Sequence, residues 1–128
     1  MPMTKPKENQ RLLHFQWSDF DIAVKAIADA FPNIKEIYGI PRGGLVLAVA
    51  LSNLLDKPLV QYLALDKRVL VVDDICDTGK TLSRYRQLST ASIYTRHNSS
   101  FMPNFSYRIL NTDQFVVFPW EYQWWEVK

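Results

Sequence analysis

A chain of 128 residues, 48% hydrophobic and 22% charged, is large enough to build one cored domain without disulfide or metal staples. Its formal charge of +2 is too small to argue for a nucleic-acid partner, and no apolar run approaches the roughly eighteen residues that cross a bilayer. The single cysteine, Cys76, excludes an intramolecular disulfide and fits a reducing compartment, so a cytoplasmic domain without nucleic-acid or membrane partners is expected.

Met1 to Arg11 is polar and basic with no apolar centre, which reads as a flexible lead-in and not as a secretory signal. Ser18 is the predicted N-cap of a first helix, with Phe20, Ala23, Val24, Ile27 and Phe31 at helical spacing and Pro32 as the stop. Glu36 to Ile40 is a predicted strand. Pro41-Arg42-Gly43-Gly44 is a turn, and Leu45 to Leu55 an apolar helix ending before Pro58. Leu59 to Leu63 reads as a second short strand and Val69 to Asp73 as a third, buried on both faces. Gly79 to Leu88 is predicted helical, Ser92 to Thr95 a fourth strand, and Tyr107–Leu110 and Phe115–Phe118 weaker strands. Strands alternating with helices predict an α/β fold: a mostly parallel twisted sheet flanked by helices, in a single domain over 1–128, with 97–128 forming a small hood and an aromatic C-terminal segment.

The most informative stretch is Val69-Leu70-Val71-Val72-Asp73-Asp74-Ile75-Cys76-Asp77-Thr78-Gly79-Lys80-Thr81. An apolar strand ends in two acids, and a third acid opens a Thr-Gly-Lys-Thr turn. Such a turn before a helix can hold a phosphate on its backbone amides. A Walker A loop requires a glycine five residues before Gly79, and Asp74 stands there, which argues against an NTPase loop. Cys76 reads as a small buried filler within the acidic turn. In parallel sheets ligands bind beyond the carboxyl ends of the strands, at a switch point. The Arg42-Gly43-Gly44 turn and the acidic turn both follow strands, so both are expected to open onto one edge.

The run from Val69 to Thr81 resembles the phosphoribosyl pyrophosphate (PRPP) motif of the type I phosphoribosyltransferases. Tyr38 to Leu45 is similar to that family's pyrophosphate loop, and Phe115-Val116-Val117-Phe118-Pro119-Trp120-Glu121 to the closing segment of its short xanthine-guanine members. The resemblance implies transfer of ribose 5-phosphate from PRPP to a 6-oxopurine, with Mg2+ and release of pyrophosphate. It implies that Asp73 and Asp74 accept from ribose hydroxyls or magnesium-bound water, with Asp74 reaching the metal through water. It places Asp77 near purine N7 as a proton acceptor or relay. It gives PRPP and its 5-phosphate to Asp73, Asp74, Asp77, Thr78, Gly79, Lys80 and Thr81, the pyrophosphate to Arg42, Gly43 and Gly44, and the base to Phe115, Arg96 and Glu121. Arg96 stands where the family commonly has lysine, and that swap is not conservative.

One departure concerns Ala64 to Arg68, five residues where the family carries a long closing loop. They span at most about 18 Å, less than a crossover between neighbouring parallel strands requires. Leu59–Leu63 is therefore read alternatively as irregular or antiparallel. Two readings follow: an enzyme whose lid comes from Lys67-Arg68, the aromatic tail or a partner subunit, or a non-catalytic PRPP or nucleotide sensor on the same fold. Trp120 to Trp125 reads equally as a hood over the base, an interface between copies, or core, which leaves a homo-oligomer open.

Overall fold

The computed structural model describes residues 5–122. In chain order they form β1 (Leu12–His14), α1 (Trp17–Ala30), β2 (Glu36–Gly39), α2 (Gly43–Leu55), β3 (Val69–Cys76), a 3-10 turn (Leu82–Tyr85), β4 (Ser89–Arg96), β5 (Phe105–Leu110) and β6 (Phe115–Val117). A four-stranded, all-parallel sheet runs β2-β3-β4-β5, and β1 pairs with β6 in a separate two-stranded sheet.

Gln16, not Ser18, precedes α1: its backbone amide donates to Asp19 Oδ2 at 3.1 Å, and Ser18 falls inside the first turn. Phe20, Ala23, Val24 and Ile27 form the buried stripe, as their spacing requires. Both helices share one core with Leu70, Val72, Ala91 and Ile93. The alternating residues Val69 and Val71 face the other way, toward Leu82, Leu88, Tyr85, Leu63 and Phe101. Among the described residues, that second face is covered by a 3-10 turn and loops.

Three expectations change. Gly79–Leu88 is not an α-helix: only Leu82–Tyr85 is helical, and as 3-10. Leu82, Tyr85 and Leu88 recur every three residues, the period of a 3-10 turn, and all three pack on the sheet. Leu59–Leu63 is not a strand; it contributes one parallel bridge, Leu59 to Ile37, on the outer side of β2. It is thus irregular and separated from β3 by β2, so the short link need not make a parallel crossover. The third strand continues past Asp73 to Cys76.

The chain leaves β2, runs through α2 and the Leu59 bridge on one side, then returns to β3 on the other. The strand order reverses there, placing the switch point between the carboxyl ends of β2 and β3.

The hood is built from both ends of the described chain. Leu12–His14 pair with Phe115–Val117, and Phe115 N–H donates to Arg11 O at 2.8 Å. Phe118 is 2% exposed, stacks on Trp120 at 4.9 Å and meets Phe15 edge-on at 5.5 Å. Phe118→Ala is expected to cost about 3–5 kcal/mol by urea denaturation, because the ring fills the hub joining hood to α1. A cost under about 1 kcal/mol would mean that the hood is not part of the cooperative unit.

Candidate active site

The turn after β2 and the turn after β3 line one open cleft of about 920 Å³. Arg42, Gly43, Asp73, Asp74, Asp77, Thr78, Gly79, Thr81, Arg96, Phe115 and Glu121 all border it. Two residues assigned from sequence do not. Gly44 is buried, and its amide already donates to Ile40 O at 2.8 Å, so it shapes the turn and has no donor left for an anion. Lys80 is exposed and lies outside the cleft wall.

The first turn follows a cis Pro41–Arg42 peptide, and α2 starts at once from Gly43. A Cβ at Gly43 would overlap the carboxylate of Asp74. The glycine therefore lets the two turns touch. Arg42 is exposed to the cleft and makes no ion pair among the described residues.

Opposite lie the acids of β3. Asp73 Oδ1 accepts from the Asp74 amide at 2.9 Å, and Asp74 Oδ1 from the Ile75 amide at 2.8 Å. Burial, then the neighbouring Asp74 charge, pushes the Asp73 carboxyl up to about 9. Burial also pushes Asp74 up. Glu121, whose Oε1 accepts from the Phe118 amide at 3.1 Å, is raised by burial and by Asp74. Three carboxyls thus share a site that resists their ionised forms. Trp120 adds a buried indole N–H directed at the Asp74 carboxylate, whose ionised form it favours. Its signal in the sequence was the Pro119-Trp120-Glu121 run, where Trp120 reads first as a core cap.

Among the described residues no group of three or more His, Cys, Asp or Glu is placed to ligate a metal. The donor set still fits magnesium that arrives on a polyphosphate, because that ion keeps several waters and needs only one or two carboxylates.

In the turn after β3, Gly79 has φ +90°, a conformation favouring glycine, and a Cβ there would come within 2.6 Å of the Phe101 amide and Ser99 Oγ. Ser100 donates twice to Thr78 O, at 2.8 Å through its amide and 2.7 Å through its hydroxyl, pinning the turn. Thr78 Oγ1 accepts from the Lys80 amide at 3.2 Å. Among the described residues the amides of Thr78, Gly79 and Thr81 donate to no protein acceptor. These donors stand at the head of a 3-10 turn, with no α-helix dipole behind them.

Arg96 lines the cleft, but its guanidinium is engaged: Nε donates to Asp77 Oδ1 at 2.8 Å, Nη1 to Thr112 O at 3.0 Å and Nη2 to Gln114 O at 2.7 Å. The guanidinium is thus tied to the protein through three of its five N–H groups. Cys76 is 3% exposed with its thiol raised by burial, as a filler should be.

Lys67 and Arg68 supply no lid. They precede β3, at the end of the sheet away from the cleft. Lys67 Nζ donates to Arg86 O and Leu88 O at 2.9 and 3.1 Å, while Asp66 holds Arg68 and Lys35 at 2.9 and 3.2 Å. The tail beyond Tyr122, including Trp124 and Trp125, lies outside the described residues.

No protein-family model matches the chain, and no curated protein matches it by sequence. Solved structures do. A purine phosphoribosyltransferase from Pyrococcus horikoshii is 30% identical with a TM-score of 0.75, over 87% of this chain and 95% of that one. A xanthine-guanine-hypoxanthine phosphoribosyltransferase from Helicobacter pylori superposes at 0.70 with 17% identity, over 87% and 94%. A hypothetical protein from Neisseria gonorrhoeae, solved with bound ppGpp, superposes at 0.69 with 16% identity, over 88% and 90%. The sequence identity to the Pyrococcus enzyme, over nearly the whole of both chains, joins the two turns and their shared cleft in one conclusion: the chain belongs to the type I phosphoribosyltransferases, pentosyl-transferring glycosyltransferases.

Proposed function

We propose that this phosphoribosyltransferase moves ribose 5-phosphate from magnesium-bound PRPP onto a 6-oxopurine, releasing pyrophosphate. The observation that carries the reading is the meeting of the exposed Arg42 turn and the Asp73–Thr81 turn in one cleft, with Phe115 and Glu121 on its wall.

In the reaction the bond from ribose C1 to the pyrophosphate oxygen breaks, its electrons leave with pyrophosphate, and a base nitrogen attacks C1. Positive charge builds on the ribose and negative charge on the leaving group. Residues that favour this separation over bound PRPP accelerate it. Arg42 and the Gly43 amide meet the developing anion. The chemistry magnesium supplies when bound is further neutralisation of that charge. Asp73 and Asp74 hold the ribose hydroxyls, and the Thr78, Gly79 and Thr81 amides, with both threonine hydroxyls, hold the 5-phosphate. Asp77 takes or relays the proton lost by the base. Phe115 offers a π-face to the purine. A carboxylate at Glu121 suits guanine, whose N1–H and 2-amino edge donates where adenine N1 accepts.

Incubation with magnesium, PRPP and guanine, xanthine, hypoxanthine or adenine tests the reading: nucleotide and pyrophosphate in equal amounts with a 6-oxopurine are expected. Release with none would reject transfer. The pinned 64–68 link favours the second reading, a PRPP or nucleotide sensor, whose mark is thermal stabilisation by PRPP or GMP without turnover. Arg42→Ala is expected to raise the KM for PRPP about tenfold or more while leaving GMP affinity within about twofold, because only PRPP carries the pyrophosphate. An equal loss for both ligands would contradict the assignment.

A further inference from the structure

We propose that Arg96 is a positioning residue whose guanidinium fixes the gap between the Asp77 carboxylate and the Phe115 ring, and so sets the space a base can occupy. The proposal rests on the purine-transfer reading above.

Three of the five guanidinium N–H groups are spent on three separate acceptors. One is the Asp77 carboxylate, on the turn after β3. The others are the carbonyls of Thr112 and Gln114, which flank the approach to Phe115 at the start of β6. These segments have no common strand: Asp77 follows a central strand of the main sheet, and Phe115 belongs to the separate β1–β6 pair. Arg96 itself ends β4, an interior strand, where it pairs with Leu110 and is followed by His97, whose amide donates to Leu110 O at 3.1 Å. Its backbone is therefore fixed, and the side chain reaches outward from a rigid base.

The burial is lopsided. The Arg96 side chain is 15% exposed and that of Asp77 61%. Asp77 projects into the cleft, and Arg96 is the only cation among the described residues that holds it. Its Oδ1 is occupied by Nε, and Oδ2 has no hydrogen-bond partner among the described residues. A lysine would place one ammonium where a planar fork now spans three acceptors, so it could not hold the carboxylate and both carbonyls in one geometry.

Kinetics of the wild type and Arg96→Lys with guanine, xanthine, hypoxanthine and adenine, paired with hydrogen exchange of the ligand-free proteins, test the bracket. In Arg96→Lys the KM of every base that the wild type accepts is expected to rise together, by about tenfold. The PRPP KM should stay within about twofold, as Arg42 and the amides of Thr78, Gly79 and Thr81 are untouched. Exchange of amides 111–116 should quicken while that of 69–73 stays at the wild-type rate, which also shows that the variant folds. A KM rise confined to bases with a 6-oxo group would make Arg96 a direct base donor and overturn the proposal, as would unchanged exchange at 111–116. Wild-type protein that turns over no base would remove the purine-transfer reading and with it the role in setting the base gap. Hydrogen exchange would then decide by itself whether Arg96 braces the two segments.

Discussion

Asp73→Asn is expected to raise the unfolding temperature of the ligand-free protein while cutting turnover at least about 100-fold. Asp73 sits in the sheet's carboxyl end with Asp74 beside it, and burial and that charge push it from 3.8 to about 9. A carboxyl that holds its proton more tightly folded than unfolded contributes stability that is full below about pH 4. That contribution is lost as pH rises through about 9. Asparagine keeps an oxygen to accept the Asp74 amide and removes the charge. The expected gain is about 2 kcal/mol near pH 8, or roughly 5–10 °C in Tm. The wild type should lose stability steadily between about pH 5 and 9, and the variant should lose much less. Magnesium with PRPP, a cationic centre for the ionised pair, should stabilise the wild type more at about pH 8 than at about pH 5.5. Scanning calorimetry across that range checks all three. A variant less stable than the wild type at the higher pH would mean that the acid pair is not in tension.

Gly43→Ala is the second large effect. The new methyl has no room beside the Asp74 carboxylate. The two turns must separate, at an expected cost of about 1–3 kcal/mol in stability and about 100-fold or more in turnover, since Arg42 moves with them. Adding Asp74→Ala vacates the space. The double variant should return to the stability of Asp74→Ala alone and remain inactive. Costs that simply add would show that the contact between the turns is loose. Guanidinium denaturation and single-turnover assays on the three variants decide it.

The site was legible wherever chemistry and periodicity coincide in a short stretch. Four apolar residues ending in Asp73-Asp74 read as a buried strand with its acids toward the carboxyl edge of the sheet, and the structure places them on the cleft wall there. Arg42-Gly43 one unit earlier had to open beside it in a parallel sheet. What escaped the sequence was non-local. Leu12–His14 is three residues long and gains its identity only by pairing with Phe115–Val117, about a hundred positions away. Arg96 carries a charge that suits a ligand, and nothing in its neighbours announces that Thr112 and Gln114 carbonyls will fold back onto it. Leu82, Tyr85 and Leu88 were ambiguous because an apolar residue every third position suits one 3-10 turn as well as the start of an α-helix. Gly44 was misassigned because two adjacent glycines look alike on paper, while the fold spends one on Ile40 and the other on Asp74.

The thin cover over Val69 and Val71 couples two events that are usually independent. Leu82 and Tyr85 follow directly on the bend that carries Thr78, Gly79 and Thr81, so peeling the cover back is expected to disturb that bend as well. On the proposed assignment of the 5-phosphate to this bend, a nucleotide's residence is expected to follow the breathing of the sparse side of the sheet. Strengthening that side, for instance by enlarging the hydrophobic contact of the 3-10 turn, would slow product departure without touching an atom that meets the ligand.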